Sequence, residues 1–253
     1  LLWFISEYYR RWNMVIDFNV TIGHFPEGKN IGHEDILKTM DRAGIEKAVV
    51  STPGFYSDHE EVDFLYLETK KCLDRLIPFG ILNPKSSQVE SNLRRICDYG
   101  FKGIRLDPLN HGYSASQCAK LDEVLCWINL LKKPVSITTG ITTSGDPAQW
   151  LSLIRKYPDL KFILLGMGAF DFGYGCVEYA SQMENIYLET SLQYEIQIIK
   201  KAISVLDGDR VLFGSGAPNK IPEVEILKIK SAIKNEELYK KITCLQAQKI
   251  LLI

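Results

Sequence analysis

Residues 99–108 read Y-G-F-K-G-I-R-L-D-P. Gly100 stands just past a helical pattern over residues 89–99, where a glycine ends a helix. Lys102 to Asp107 is then a short apolar run that closes on a polar residue and Pro108. Such a run, bounded by turn residues, predicts a buried strand. Side chains alternate along a strand with period two, so Arg105 and Asp107 share one face at its end.

The same unit recurs on both sides of this stretch. Earlier runs are M-V-I-D-F-N-V (14–20), K-A-V-V-S-T (47–52) and L-I-P-F-G-I-L-N (76–83). Later ones are P-V-S-I-T-T (134–139), K-F-I-L-L (161–165), N-I-Y-L-E-T (185–190) and R-V-L-F-G-S (210–215). Helical patterns fall between them, over 33–43, 59–74, 89–99, 117–132, 147–157, 171–183, 193–206 and 222–234, and a last one spans 236–250. Strands rich in Val, Ile, Leu and Phe fit a parallel sheet buried on both faces. Eight strands alternating with helices in 253 residues is the rhythm of an α/β fold of the (β/α)8 TIM-barrel type. A doubly wound open sheet is the rival, but no G-x-G-x-x-G follows the first strand. Residues 14–253 are expected to form one barrel domain. Residues 1–13 are expected to be an N-terminal extension, with Leu1, Leu2, Phe4, Ile5, Tyr8, Tyr9 and Trp12 as an apolar stripe. Glu7 and the lack of a small-residue cleavage site argue against a signal peptide.

The chain is 46% hydrophobic and 24% charged, with 30 basic and 31 acidic residues. That balance speaks against nucleic acid or an anionic membrane as the main partner, since either calls for a basic patch. No pair among the six cysteines has C-x-x-C spacing, so free thiols in a reducing, cytoplasmic compartment are expected. An oligomer is compatible with the sequence.

With these runs in order, the chain resembles the amidohydrolase-related (amidohydrolase 2) proteins of the metal-dependent hydrolase superfamily. The resemblance runs from about Val15 to the last helix. V-I-D-F-N-V-T-I-G (15–23) sits where the family has Asp-x-His-x-His. L-K-T-M-D-R-A-G-I-E-K-A-V-V (37–50), F-G-I-L-N-P (79–84) and Y-G-F-K-G-I-R-L-D-P follow it. K-P-V-S-I-T-T-G (133–140) matches a strand that usually ends His-Thr-Gly. Y-P-D-L-K-F-I-L-L-G-M-G (157–168) matches one ending Ala-His-Met-Gly. N-I-Y-L-E-T-S (185–191) comes next, and D-R-V-L-F-G-S-G-A-P (209–218) matches Gly-Ser-Asp-x-Pro.

The resemblance implies a metal held by first-strand histidines, later histidines and an eighth-strand aspartate. The matching positions are Asn19, Thr21, Thr138, Gly166 and Gly216. An amide, two hydroxyls and two glycines bring no imidazole, thiolate or carboxylate, the donors that zinc sites need. No metal and no other cofactor is therefore expected. The pocket at those positions is expected to take water or a small polar ligand, hydroxylated or cationic.

Other groups fall near the inferred mouth. Asp17 is either structural, bonded to backbone, or an acid–base group. Arg105 and Asp107 are either a salt bridge closing the barrel or a catalytic pair. Glu189 ends the seventh strand. His24 and His111 lie in loops after strands, as solvated residues or as a general base. Phe55, Tyr56, Tyr113, Phe170, Phe172 and Tyr174 either line the pocket or cover it. Two functions follow. One is a homologue without metal centre or hydrolase activity that binds a ligand or partner. The other is an active hydrolase or decarboxylase, metal-free with Asp107, His111, Glu189 and Asp17 as acid–base groups, or using zinc or another divalent metal through a non-standard site.

Overall fold

The computed structural model describes residues 14–26, 28–233 and 235–253; the expected extension at 1–13 lies outside them. The eight runs form eight strands. They are β1 (Ile16–Thr21), β2 (Lys47–Ser51), β3 (Leu76–Ile81), β4 (Gly103–Leu106), β5 (Val135–Thr138), β6 (Phe162–Leu165), β7 (Ile186–Glu189) and β8 (Val211–Leu212). They lie in one sheet in sequence order, each parallel to the next. Main-chain bonds to β1 close the barrel. Phe18 N–H donates to Phe213 O at 2.9 Å, Gly216 N–H to Asn19 O at 2.9 Å, and Thr21 N–H to Ala217 O at 2.8 Å.

The helices are α1 (His33–Ala43), α2 (Asp58–Thr69), α3 (Val89–Asp98), α4 (Leu121–Leu130), α5 (Leu151–Lys156), α6 (Ala169–Gln182), α7 (Ile196–Leu206), α8 (Pro222–Ala232), α9 (Glu236–Lys240) and α10 (Gln246–Leu251). Four depart from the sequence expectation. The pattern at 147–157 opens as a 3-10 turn at Pro147–Trp150 and becomes α5 only from Leu151. The pattern at 59–74 stops at Thr69, whose hydroxyl bonds back to Leu65 O. The pattern at 117–132 narrows to α4, after a separate turn at Ala115–Gln117. The single helix expected at 236–250 is split by a π turn at Lys241–Leu245. There Ile242 O accepts from Phe213 N–H, outside the helix. Among the described residues no helix is long and apolar enough to cross a membrane.

Strand alternation sorts the core into two. Ile104, Leu106, Val135, Ile137, Phe162 and Leu164 pack outward, with helix residues such as Ile36, Leu65, Leu125 and Ile199. Ile16, Phe18, Val49, Ile77, Phe79, Ile163, Leu165, Tyr187 and Leu212 fill the bore. Each such side chain contributes about 1.5–3 kcal/mol by leaving water. Cys244, Ala247, Ile250 and Leu251 join the inner group, with Met14 packed against it, so the chain's last turns seal the end where β1 begins. The apolar filling gives way at the other end of the strands. The register of β1 on β2 slips between Asp17 and Val20. Phe18 faces the bore, whereas Val20 and Ile22 join the outer core, and the slip brings Asn19 inward.

Candidate functional site

Four strands place polar side chains at the open end of the bore. Arg105 of β4 reaches across it: its Nη1 donates to Asn19 Oδ1 of β1 at 3.3 Å, and its Nη2 to Thr138 Oγ1 of β5 at 3.2 Å. Thr138 Oγ1 in turn donates to Asp107 Oδ2 at 2.9 Å. On the far side, Asn19 Nδ2 donates to Ser191 Oγ at 3.0 Å and to Glu189 Oε2 at 3.4 Å, and Ser191 Oγ donates to Glu189 Oε2 at 2.9 Å. One chain of hydrogen bonds thus runs Glu189–Ser191–Asn19–Arg105–Thr138–Asp107, with a carboxyl at each end and a guanidinium in the middle. Arg105 and Asp107 share a face as expected. Their closest atoms are 3.6 Å apart, an ion pair without a short hydrogen bond.

Asp17 and Glu189 are fully buried. Asp17 Oδ1 accepts from Asn19 N–H at 3.1 Å and Ser215 N–H at 2.8 Å, which ties β1 to the chain after β8. Its Oδ2 has no partner among the described residues. Burial pushes this carboxyl up to about 7, against the pull of those donors, and the Glu189 charge adds to the rise. Glu189 is also pushed up by burial, while the N–H groups of Gly166 (3.0 Å) and Ser191 (2.6 Å) oppose it. Gly214 makes room for it: a Cβ there would stand 2.1 Å from Glu189 Oε1.

His111 belongs to a separate group. It is buried, not a solvated loop residue: Gly54 of the β2 exit lies against its ring, and Asp58 Oδ1 is 3.7 Å from its Nε2. Burial brings its pKa down to about 4, although the Asp107 charge acts the other way. Burial likewise lifts Asp58 to about 6, helped by the Glu61 carboxylate and opposed by the Asn83 N–H. Neither ring nitrogen of His111, nor the Tyr113 hydroxyl, has a hydrogen-bond partner among the described residues. His24 is exposed, with its ring 4.9 Å from that of Phe64. Phe55, Tyr56, Phe170 and Tyr174 stay exposed and Tyr113 is buried. A cleft of about 460 Å³ opens beside Tyr113 on the rim, lined by Lys85, Ser114 and Lys120 among others.

Of the four predicted acid–base residues, Glu189 and Asp107 therefore end one chain of hydrogen bonds, Asp17 is held by backbone N–H groups, and the His111 ring stands apart beside Asp58. Sequence reasoning missed Ser191 and Asp58. The only signal for Ser191 was its place two residues after Glu189, in E-T-S, where strand parity returns it to the bore.

Of the five expected pocket residues, Asn19 and Thr138 meet at the guanidinium, while Thr21, Thr138 and Gly216 are partly exposed. Gly166 is buried with φ +74°, and a Cβ on it would stand 2.8 Å from Leu192 Cβ, so no imidazole is accommodated there. The residues present do not fit a divalent metal. The oxygen atoms of Asn19 and Thr138 already accept from a cation, and Thr21, Gly166 and Gly216 at the other three positions bring no imidazole or carboxylate. Among the described residues no group of three or more His, Cys, Asp or Glu side chains could hold a metal ion.

Residues 23–250 match the family described as amidohydrolase. No curated protein matches the chain. Solved structures do. An uncharacterized TIM-barrel protein from Bordetella bronchiseptica has a TM-score of 0.78 at 17% identity, covering 94% of this chain and 98% of its own. A 2,6-dihydroxybenzoate decarboxylase complexed with 2,6-dihydroxybenzoate has a TM-score of 0.76 at 16% identity, covering 95% and 99%. A 5-carboxyvanillate decarboxylase from Novosphingobium aromaticivorans, with bound manganese and 3-methoxy-4-hydroxy-5-nitrobenzoic acid, has a TM-score of 0.76 at 16% identity, covering 96% and 98%. At such identities the likeness shows a shared fold.

Proposed function

Because the chain belongs to the amidohydrolase family, we propose that it is a member without the metal centre and without hydrolase activity, whose barrel mouth binds a small polar ligand. One observation carries this reading: the Arg105 guanidinium bonds to Asn19 and Thr138, at two positions where the resemblance expects metal ligands. A divalent ion placed there would meet a fixed positive charge between the neutral oxygens of Asn19 and Thr138, with the nearest carboxylate, Asp107, already paired to that charge at 3.6 Å. The decarboxylases of the same fold hold small aromatic acids, which sets the scale of ligand such a mouth admits. Free cysteines at all six positions fit a reducing cytoplasm.

The enzyme alternative, hydrolysis of a C–N or ester bond or decarboxylation, has one observation in its favour. Asp17 at about 7 is in the range for proton transfer. Against it, that carboxyl is fully buried and its Oδ1 accepts from backbone N–H groups.

Elemental analysis of protein purified without chelator tests the proposal. Well under one equivalent of zinc, manganese or iron is expected, and a near-stoichiometric metal overturns it.

A further inference from the structure

The geometry points to Arg105 as a built-in cation that takes the carboxylate of a small acid, at the strand ends where the family's metal ligands would converge. This rests on the metal-free reading above and names the ligand class for the same site.

The argument begins with reach. Arg105 starts on β4 and ends on Asn19 of β1, three strands away round the wall. Its guanidinium therefore spans the bore instead of lying along one side. A guanidinium carries five N–H donors, and hydrogen bonds to Asn19 and Thr138 take up two. Both are at or beyond the long end of the usual range for N–H···O. Nε is buried with no partner among the described residues. Buried donors normally have a protein or water partner, so this guanidinium has hydrogen-bonding capacity that its neighbours leave unused.

Charge comes next. Asp107 is the nearest counter-ion, at 3.6 Å, and its oxygens already accept from Thr138 Oγ1 and Asn110 N–H. The side chains that touch the guanidinium are neutral. A cationic ligand would be repelled here, whereas a carboxylate matches the planar fork of donors. The approach is from the strand ends, where Arg105 keeps 9% exposure and Thr138, which it touches, is partly exposed. The Thr138 hydroxyl stands beside the fork, 3.2 Å from Nη2, for a hydroxyl or second oxygen of the acid.

Binding of acetate and benzoate, against their neutral counterparts acetamide and benzamide, is to be measured by calorimetric titration of the full chain in EDTA. The acids should bind and the amides should bind at least ten-fold more weakly. Arg105→Gln should weaken acid binding at least ten-fold and change amide binding by much less. Arg105→Lys, which keeps the charge without the fork, should retain part of the acid binding. Acids and amides that bind alike, acids that do not bind, or an Arg105→Gln protein that holds acids as tightly each overturn the assignment. Where Arg105→Gln does not fold, the acid-against-amide comparison on the unsubstituted protein decides. Stoichiometric metal in untreated protein sinks the metal-free reading. Acid binding that persists in EDTA and depends on Arg105 leaves this assignment standing.

Discussion

Arg105 Nη1 lies 3.3 Å from Asn19 Oδ1, and the two residues face each other across the bore from β4 and β1. That contact joins two polar clusters that would otherwise be separate. Asn19 is bonded to Ser191 and Glu189 on its own side, and Thr138 hands the other end to Asp107. The amide suits this place because it both accepts and donates. Its Oδ1 accepts a hydrogen bond from the guanidinium and its Nδ2 donates two to the Ser191–Glu189 side, which a carboxylate or an aliphatic side chain could not do.

Ser191 is the joint of the buried half. Its hydroxyl donates to Glu189 and accepts from Asn19, and its N–H also donates to Glu189. Ser191→Ala removes the hydroxyl bonds and leaves a buried carboxyl short of a donor. Hydrogen bonds to such groups are worth about 1.5–3 kcal/mol, so a loss of about 2 kcal/mol is expected. Urea unfolding should show a lower midpoint at unchanged slope. An unchanged midpoint would show that Asn19 and Glu189 hold together without the hydroxyl.

Gly214 has no space for a methyl group. Its Cβ would meet Glu189 Oε1 at 2.1 Å and Asn19 Cβ at 3.1 Å. Glu189 cannot swing aside without giving up the Gly166 and Ser191 N–H groups. Overpacking of this kind costs about 1–3 kcal/mol. Gly214→Ala should therefore melt roughly 5–10 °C lower or fail to fold. Melting within a degree of the parent would place Glu189 elsewhere.

Asp17 gives a signed pH dependence. Its pKa rises from 3.8 to about 7 because burial penalises the charge. The folded state thus holds this proton more tightly than the unfolded chain. Its contribution is fully present below about 4 and is lost as pH rises through about 7. Three pKa units at about 1.4 kcal/mol each set an upper scale on the order of 4 kcal/mol. Asp17→Asn keeps an acceptor for Ser215 and does not titrate. Its stability relative to the parent should rise from pH 4 to pH 7 and then level off. The opposite dependence of His111, whose contribution is lost as pH falls from 6.5 through about 4, is common to both proteins and cancels in the difference. A difference that stays flat across that window would mean that Asp17 is ionised at its ordinary pKa.

The barrel was legible because two-sided burial writes itself as short runs of Val, Ile, Leu and Phe. The reading of Lys102–Asp107 differs from β4 by one residue at each end. The run at 210–215 was read too long: β8 has two ladder residues, and beyond them the chain bonds to β1 instead of extending beside β7. Reading where each strand ends placed Asn19, Arg105, Thr138 and Glu189 together at the open end, although Asn19 faces the bore only through the register slip in β1. What parity cannot tell is how far a side chain reaches. Asp107, two residues along the same face, was the evident partner for Arg105, yet the hydrogen bonds go to Asn19 and Thr138. The burial of His111 was equally hidden, because a loop has no period from which to infer an inward face.

Rebuilding the metal site asks whether the guanidinium excludes the ion. Donors alone are not enough. Gly166, at φ +74° and against Leu192, cannot accept an imidazole, so the graft is Asn19→His, Thr21→His, Thr138→His and Gly216→Asp. Gly216, at φ +72°, has its nearest neighbour 3.4 Å from a Cβ, and Asp is among the residues that tolerate this conformation. A dication about 4 Å from a guanidinium is repelled by about 8 kcal/mol at an effective dielectric of about 20. Structural zinc binding is worth only about 10–16 kcal/mol. The four-fold variant with Arg105 in place should therefore take up less than about a tenth of the zinc that the same variant takes up with Arg105→Met. Equal and stoichiometric uptake by both proteins would show that the guanidinium is no obstacle and would sink the metal-exclusion argument. No uptake by either, in proteins whose circular dichroism matches the parent, would show that these strand ends do not aim at one point.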